Sequence, residues 1–269
     1  MTKDLKTILE QETDPKLLLT PRINEWMLEH PGNLYTQNAY DRVWAELTKP
    51  GRDRSGSFSA SSAGQCLRRQ EFAFLGKPQK PVFPALRTVF EIGTWTHAQW
   101  QALLLSAKLL DDIEVEYKWP RMNSMGSADG VGHVWWESTN PLYRGRNYGV
   151  ELKTVGEFAW KKKAEEGPSS DHLDQVHRYM LVSGIDLFSY IIIDKGNSSG
   201  LGWKEFVIER DPKLIEKSEK ELEELNKALK IKKLHPLLTE CKIGTGPIYK
   251  QCPYGGREGV CKTTKNWSD

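Results

Sequence analysis

The chain has 269 residues, 38% of them apolar and 28% charged, with a formal net charge of +2. That is room for one large domain or two small ones of ordinary soluble composition, and it excludes a global basic field that would by itself demand a polyanion. The charge is uneven: residues 1–50 hold six Lys/Arg against eight Asp/Glu, whereas the stretch from Cys241 onward holds five against two, so a local polyanion contact fits the tail.

The opening "MTKDLKTILEQETDPK" is charged throughout and does not read as a secretory signal. The longest apolar runs, such as "ALLLSAKLL", are too short for a membrane span. Both point to a cytosolic protein. There, four cysteines are metal ligands or free thiols sooner than disulfides.

Residues 3–50 read as short helices punctuated by Pro15, Pro21, Pro31 and Pro50, with helical apolar spacing in "RINEWMLEH" and "NAYDRVWAEL". "KPGRDRSGS" reads as a linker, which sets a helical extension at 1–55 and the main domain at 56–269. "SFSASSAGQCLRRQEFAFLG" reads as one capped helix closed by Gly76, and Pro84 to Leu110 as a long helix. Strands follow at "DIEVEYKW", "SMGSADGVGHVWW" and "YGVELKTV", with a turn at "STNPLYRGRN" between the last two. Helices cover "EFAWKKKAEE" and "DHLDQVHRYMLVSG". "LFSYIIID" reads as a central strand, paired with "GWKEFVIER" through the turn "KGNSSGL". A charged helix starts at the cap Asp211 and Pro212. The last 29 residues have little periodicity and carry three of the four cysteines. This order predicts a single α/β domain with a mixed sheet covered by helices.

In "GVELKT", a strand puts Glu151 and Lys153 on one face and Val150, Leu152 and Thr154 on the other. Alone, that is an exposed edge with a weak ion pair. Asp129 lies 22 residues earlier, on the neighbouring strand. Paired in register, two carboxylates and a lysine meet at one sheet edge. Such hard oxygen ligands suit Mg²⁺ or Mn²⁺, and a metal so held activates water and neutralises phosphodiester charge. Gly93 and His97 are one helical turn apart, as are Gln175 and Tyr179. Each feature also has a plainer reading: a polar or surface histidine, a turn aspartate beside Gly130, an ordinary helix surface. His133, His172, His177 and His235 are left with that reading, although His133 shares Asp129's strand face.

Gly-x-x-x-His on a helix, a strand Asp, Glu-x-Lys on the next strand and Gln-x-x-x-Tyr on the following helix resemble the RecB-type branch of the PD-(D/E)XK nucleases, from about Ser59 to Ile208. The resemblance implies a restriction-endonuclease-like fold and a DNA exonuclease acting on single strands or ends in recombination, repair or replication. It implies His97, Asp129, Glu151 and the Leu152 carbonyl as metal ligands and Lys153 as the catalytic lysine. Gln175 and Tyr179 would steady the site and the DNA backbone. Ala128 stands where the family nominally has Pro. Arg68, Arg69 and the basic tail are expected on backbone phosphates.

Cys66 precedes these motifs, and Cys241, Cys252 and Cys261 follow them. Four thiolates suit tetrahedral zinc or a four-iron cluster. One upstream and three downstream cysteines resemble the iron–sulfur nucleases of the AddB and CRISPR-adaptation types, which implies a 4Fe-4S cluster tethering the tail, with Zn²⁺ as the alternative. "SASSAGQCLRRQEF" is similar to that family's Ser-x-Ser…Cys-Pro-Arg start, with Leu67 in place of Pro. The spacing departs from the family's tight pairs, with ten residues between Cys241 and Cys252 and eight between Cys252 and Cys261. Two further functions fit the motifs: a DNA-binding adaptor with a non-catalytic nuclease fold, and a zinc-stabilised RNA-processing nuclease.

Overall fold

The computed structural model describes residues 16–50, 55–136, 140–196, 202–256, 259–264 and 267. Residues 51–54 of the expected linker and the turn tip 197–201 lie outside them, as do 138–139 of the expected turn region and Glu137 before it.

Two helices lead, α1 (Thr20–Glu29) and α2 (Gln37–Leu47), the second capped by Thr36, whose side chain accepts from the Ala39 N–H. They are not a free arm. Leu18, Leu19, Ile23, Ala39 and Val43 are buried in one cluster with Leu104, Val150, Leu187 and Ile191. A buried carboxylate ties the junction. Glu205 accepts from the Leu19 N–H at 2.9 Å, the Thr20 N–H and hydroxyl at 2.8 Å each, and the Ser189 hydroxyl at 2.7 Å. Those amides open α1, so a carboxylate from the sheet satisfies the helix's orphan donors and its positive end.

The serine-rich segment corrects the expectation of one helix. It forms a two-residue strand, β1 (Phe58–Ser59), and a 3₁₀ turn (Ala60–Ser62), and the helix α3 (Leu67–Phe74) begins only after Cys66. Serine and glycine satisfy their own backbone locally, which weakens helix there. The long helix α4 (Pro84–Ser106) stops four residues short of Leu110, where Lys108 adopts a left-handed backbone and Leu109 and Leu110 turn back into the core.

The sheet is mixed. β2 (Asp112–Trp119) and β4 (Asn147–Val155) run antiparallel to β3 (Ser124–His133), and β5 (Leu187–Asp194) runs parallel to β4 and antiparallel to β6 (Trp203–Glu209). β5 is buried along its whole length, as its unbroken apolar run predicts. α5 (Glu157–Glu166) and α6 (Ser170–Ser183) follow β4, and α7 (Pro212–Ile231) follows β6, with Asp211 accepting from the Lys213 N–H at its start. The short helices α8 (Thr239–Ile243) and α9 (Pro247–Gln251) lie in the tail. One apolar cluster joins α4 to Val150, Leu152 and Ile191, and another joins α6 to Ala128, Phe188, Tyr190 and Ile192. These alternating residues place α4 and α6 on opposite sheet faces.

β3 forks. One edge carries β2, and the other pairs β1 at Ser124–Met125 and β4 only from Gly130 to His133. Between them, from Gly126 to Asp129, that edge has no strand partner. Glycine is required nearby: a Cβ at Gly126 would stand 2.7 Å from the Tyr179 ring.

Candidate active site

The fork positions the chemistry. Continued by one step, the β3–β4 register would pair Asp129 with Glu151, but the ladder ends at Gly130–Val150. Asp129 Oδ2 takes the Leu152 N–H instead, at 2.6 Å. The side chain replaces a backbone carbonyl and is thereby fixed between two strands.

Glu151 points to the α6 face and is 2% exposed. Its Oε1 accepts from the Lys153 ammonium and, at 2.7 Å, from Gln175 Nε2, which also lies 3.0 Å from the Tyr179 hydroxyl. Gln175 and Tyr179 share a helix face, as their spacing predicts. α4 lays Gly93, His97 and Gln101 along one stripe. Gly93 passes Thr154 so closely that a Cβ would meet its hydroxyl at 3.2 Å, His97 Nδ1 stands 3.8 Å from Asp129 Oδ1, and Gln101 donates to the Asp129 carbonyl at 2.8 Å.

Electrostatics set the site apart from an ordinary edge. Burial and the neighbouring Glu114 push Asp129 up to about 7, and burial and Asp129 push Glu151 up to about 7 against the opposing pull of Lys153. The two carboxylates hold Lys153 above its usual value although burial opposes this. Burial keeps His97 below its ordinary value, so it offers a neutral imidazole lone pair. Two crowded carboxyls in a dry site fit a hard divalent cation by donor type. By spacing the set is open: among the described residues, no three His, Cys, Asp or Glu side chains stand together as a site for one ion.

Two further residues stand near the site: Glu114, which the sequence reading did not single out, and His172, which it left as an ordinary polar histidine. Glu114 on β2 lies across from Asp129, with a left-handed backbone, and is held by Gln101 at 3.0 Å and Ser127 at 3.2 Å. His172 sits one turn before Gln175 on the same face of α6, 2.5 Å from the Tyr190 hydroxyl. The usable signals were the β2–β3 register for Glu114 and the helical spacing for His172. His133, by contrast, is exposed and bonded to Asn147 at 2.8 Å.

The residues expected on DNA differ in exposure. Arg68 is 7% exposed; its guanidinium donates inward to the His235 carbonyl at 2.7 Å and to the Thr264 carbonyl, and stacks over Phe72. These contacts staple the tail. Gln175 and Tyr179 are also buried, and Gln175 donates to Glu151, so the pair steadies the carboxylate. Arg69 is only half-buried and lines a serine-rich cavity of about 420 Å³ with Lys77 and Tyr254.

Cys66, Cys241, Cys252 and Cys261 line one cavity of about 390 Å³ together with Asp171, which adjoins His172 in sequence. All four are unpaired as disulfides. Burial raises Cys66 and Cys241, and pushes Cys261 up to about 11 despite Arg68 beside it. Each of these three also feels the charge of other members of the set. The donor chemistry fits a thiophilic ion or cluster; the spacing, like that of the carboxylates, is open.

No protein-family model and no curated protein matches the chain. Its fold is similar to that of LHK-Exo in complex with dAMP, with a TM-score of 0.51 and 18% identity over 66% of this chain and 90% of that one. Another structure of LHK-Exo, an alkaline exonuclease from Laribacter hongkongensis, gives a TM-score of 0.49 at the same identity and coverage. A phage-related exonuclease from Haemophilus somnus 129PT is 14% identical over 60% of this chain and 78% of its own, with a TM-score of 0.40. The likeness shows a restriction-endonuclease-like fold. Among the described residues, no helix is long and apolar enough to cross a membrane.

Proposed function

We propose that the chain is a Mg²⁺- or Mn²⁺-dependent deoxyribonuclease, an exonuclease that hydrolyses phosphodiester bonds of single-stranded DNA or of DNA ends. One observation carries the reading: two carboxyls, Asp129 and Glu151, lie buried at a fork in the sheet beside Lys153, and burial, aided by a neighbouring carboxylate in each case, lifts both to about 7. A purely structural ion pair has no need of the second carboxylate. The fold shared with LHK-Exo, whose structure holds dAMP, agrees with this reading.

His97, Asp129, Glu151 and the Leu152 carbonyl would hold the cation, which supplies Lewis acidity toward the phosphate and a more acidic bound water. The rest belongs to the chain. Gln175, steadied by Tyr179, fixes the Glu151 carboxylate in one orientation. The Asp129 carboxylate is immobilised by the Leu152 amide. The Lys153 ammonium, only partly exposed, offers positive charge where negative charge develops on the phosphate, in surroundings dry enough for that charge to act strongly. The 4Fe-4S cluster implied for the four cysteines, or zinc in its place, would brace the tail against α3 and takes no part in the hydrolysis.

The test is cleavage of single-stranded DNA labelled at either end, with Mn²⁺, Mg²⁺ or chelator, comparing wild type with Lys153→Ala. Metal-dependent cleavage that the variant loses by at least ~10³-fold is expected, and the product ladders give polarity. DNA binding with no cleavage under any metal would refute the hydrolase and leave the adaptor.

A further inference from the structure

The serine-rich cavity of about 420 Å³ has cations and hydroxyls in its wall and, among the described residues, no acid. In "SGSFSASS", residues 55–62, serines alternate with other types. The backbone is extended at Phe58–Ser59, so Phe58 enters the core, 1% exposed, while the flanking Ser57 and Ser59 line the cavity on the other side. α3 supplies the facing wall. Arg69 and Ala73 are one helical turn apart, and Lys77 follows four residues on, where its N–H still bonds the Phe72 carbonyl at 2.9 Å. All three line the cavity, and the small Ala73 adds little bulk between the two cations. The Arg69 guanidinium and the Lys77 ammonium are half-buried, and neither has a hydrogen bond or ion pair among the described residues. The tail closes the hollow with Pro253 and Tyr254, directly after Cys252.

Two like charges facing one hollow repel each other, and nothing in its described wall balances them. An anion with several oxygens does, and serine hydroxyls add neutral donors around it. The volume falls in the range of small-ligand pockets, so a phosphate fits together with the sugar or base that bears it. The cavity also adjoins the cleavage centre. The turn that brings Ser61 to its wall packs Ala60 in one cluster with Tyr179, and Tyr179 steadies Gln175 on Glu151. A single segment of chain separates the hollow from the residues that orient that carboxylate.

We propose that this cavity is a second phosphate site, in which Arg69 and Lys77, assisted by Ser57 and Ser59, hold a phosphate of the DNA strand other than the one being cut. That the phosphate belongs to DNA rests on the nuclease reading; the anion site itself rests on the make-up of the cavity. These are positioning residues, which place the strand and touch no reacting atom.

The experiment uses the full chain without added divalent ion. The probes are fluorescently labelled single-stranded oligonucleotides that end in a phosphate or in a hydroxyl, and inorganic phosphate. Arg69→Gln and Lys77→Gln should each weaken strand binding by roughly fivefold to tenfold and flatten the dependence of log affinity on log salt by about 0.7. Ser59→Ala should weaken it by about twofold to fivefold at an unchanged salt slope, because it removes a donor and no charge. Lys162→Gln, on a side chain 73% exposed on α5, is the control and should change neither quantity appreciably. Inorganic phosphate should raise the melting temperature of wild type, and raise it less for either cation variant; this reads the site without DNA and shows that the variants fold. In the cleavage assay the variants should raise KM more than they lower kcat. A loss shared by both kinds of strand assigns the cavity an internal phosphodiester and a loss confined to the phosphate-ended strand assigns it a terminal phosphate; either sustains the site.

Variants that bind every strand like wild type, or a control that loses as much affinity and slope as they do, would overturn the site while metal-dependent cleavage left the nuclease standing. The stated losses in a protein that cleaves under no metal would keep the site and remove the hydrolysis. Protection by inorganic phosphate in a wild type that binds no strand would overturn the assignment to DNA.

Discussion

Replacing Asp129 by Asn removes one of two carboxyls that share a dry corner of the sheet. In metal-free protein the Asp129 carboxyl is displaced upward, from an ordinary value near 4 to about 7, chiefly by burial and then by Glu114. A group whose folded value exceeds its unfolded one favours folding while protonated, and that advantage is lost as pH rises between the two values. A rise from near 4 to about 7, at about 1.4 kcal/mol for each tenfold change in proton affinity, sets a ceiling of about 4 kcal/mol above pH 7. Asp129 in turn raises Glu151, and Lys153 opposes the rise of both, so a single substitution captures roughly half, ~2 kcal/mol. Asn keeps an oxygen for the Leu152 N–H, so the backbone fork survives. In chelator, Asp129→Asn should therefore match wild type near pH 4 and exceed its melting temperature by roughly 4–8 °C at pH 8. Calorimetric melts of both proteins across that range decide it, since every other acid-linked effect cancels in the difference. A variant equally or less stable at pH 8, or a difference that does not change with pH, would refute the claim that burial and Glu114 make an ionised Asp129 costly to the fold.

Glu205→Gln leaves amide hydrogens facing the Thr20 and Ser189 donors and should lower unfolding free energy by ~2–4 kcal/mol in urea titrations; a cost below ~0.5 kcal/mol would mean the contact is dispensable. Protein purified without oxygen should carry iron or zinc in stoichiometric amount, and Cys252→Ser should lose it together with several degrees of thermal stability. Metal-free protein with all four thiols reactive and an unaltered melt in the variant would return the cysteines to ordinary core.

Much of the site was legible because periodicity assigns faces. Two-residue spacing put Glu151 with Lys153, and four-residue spacing put Gly93 with His97 and Gln175 with Tyr179; the structure brings these groups together around the fork. Exposure is what spacing leaves open. Arg68 and Arg69 are adjacent in sequence and equally basic, yet helix geometry turns Arg68 inward to three buried carbonyls and leaves Arg69 half-exposed. His172 was read as an ordinary polar histidine because its contact with Tyr190 arises only once β5 pairs with β4. The serine run misled because its residues choose between helix and extended backbone by tertiary context: two of them become a parallel bridge to β3 that no local pattern encodes.

The carboxylate of Glu205 also has a bearing on the order of events at the ribosome. Leu19 leaves the exit tunnel early, while its acceptor follows 186 residues later. At bacterial or eukaryotic elongation speeds of about 5–20 residues per second, that is roughly ten to forty seconds in which the first helix lacks the carboxylate that accepts from its opening amides. The contact is among the most non-local in the chain, so its closure belongs to the last stage of folding, after the β5–β6 hairpin. Nascent chains halted before β6 would accordingly leave the Leu19 and Thr20 amides without their acceptor, and completion of a single strand would supply it.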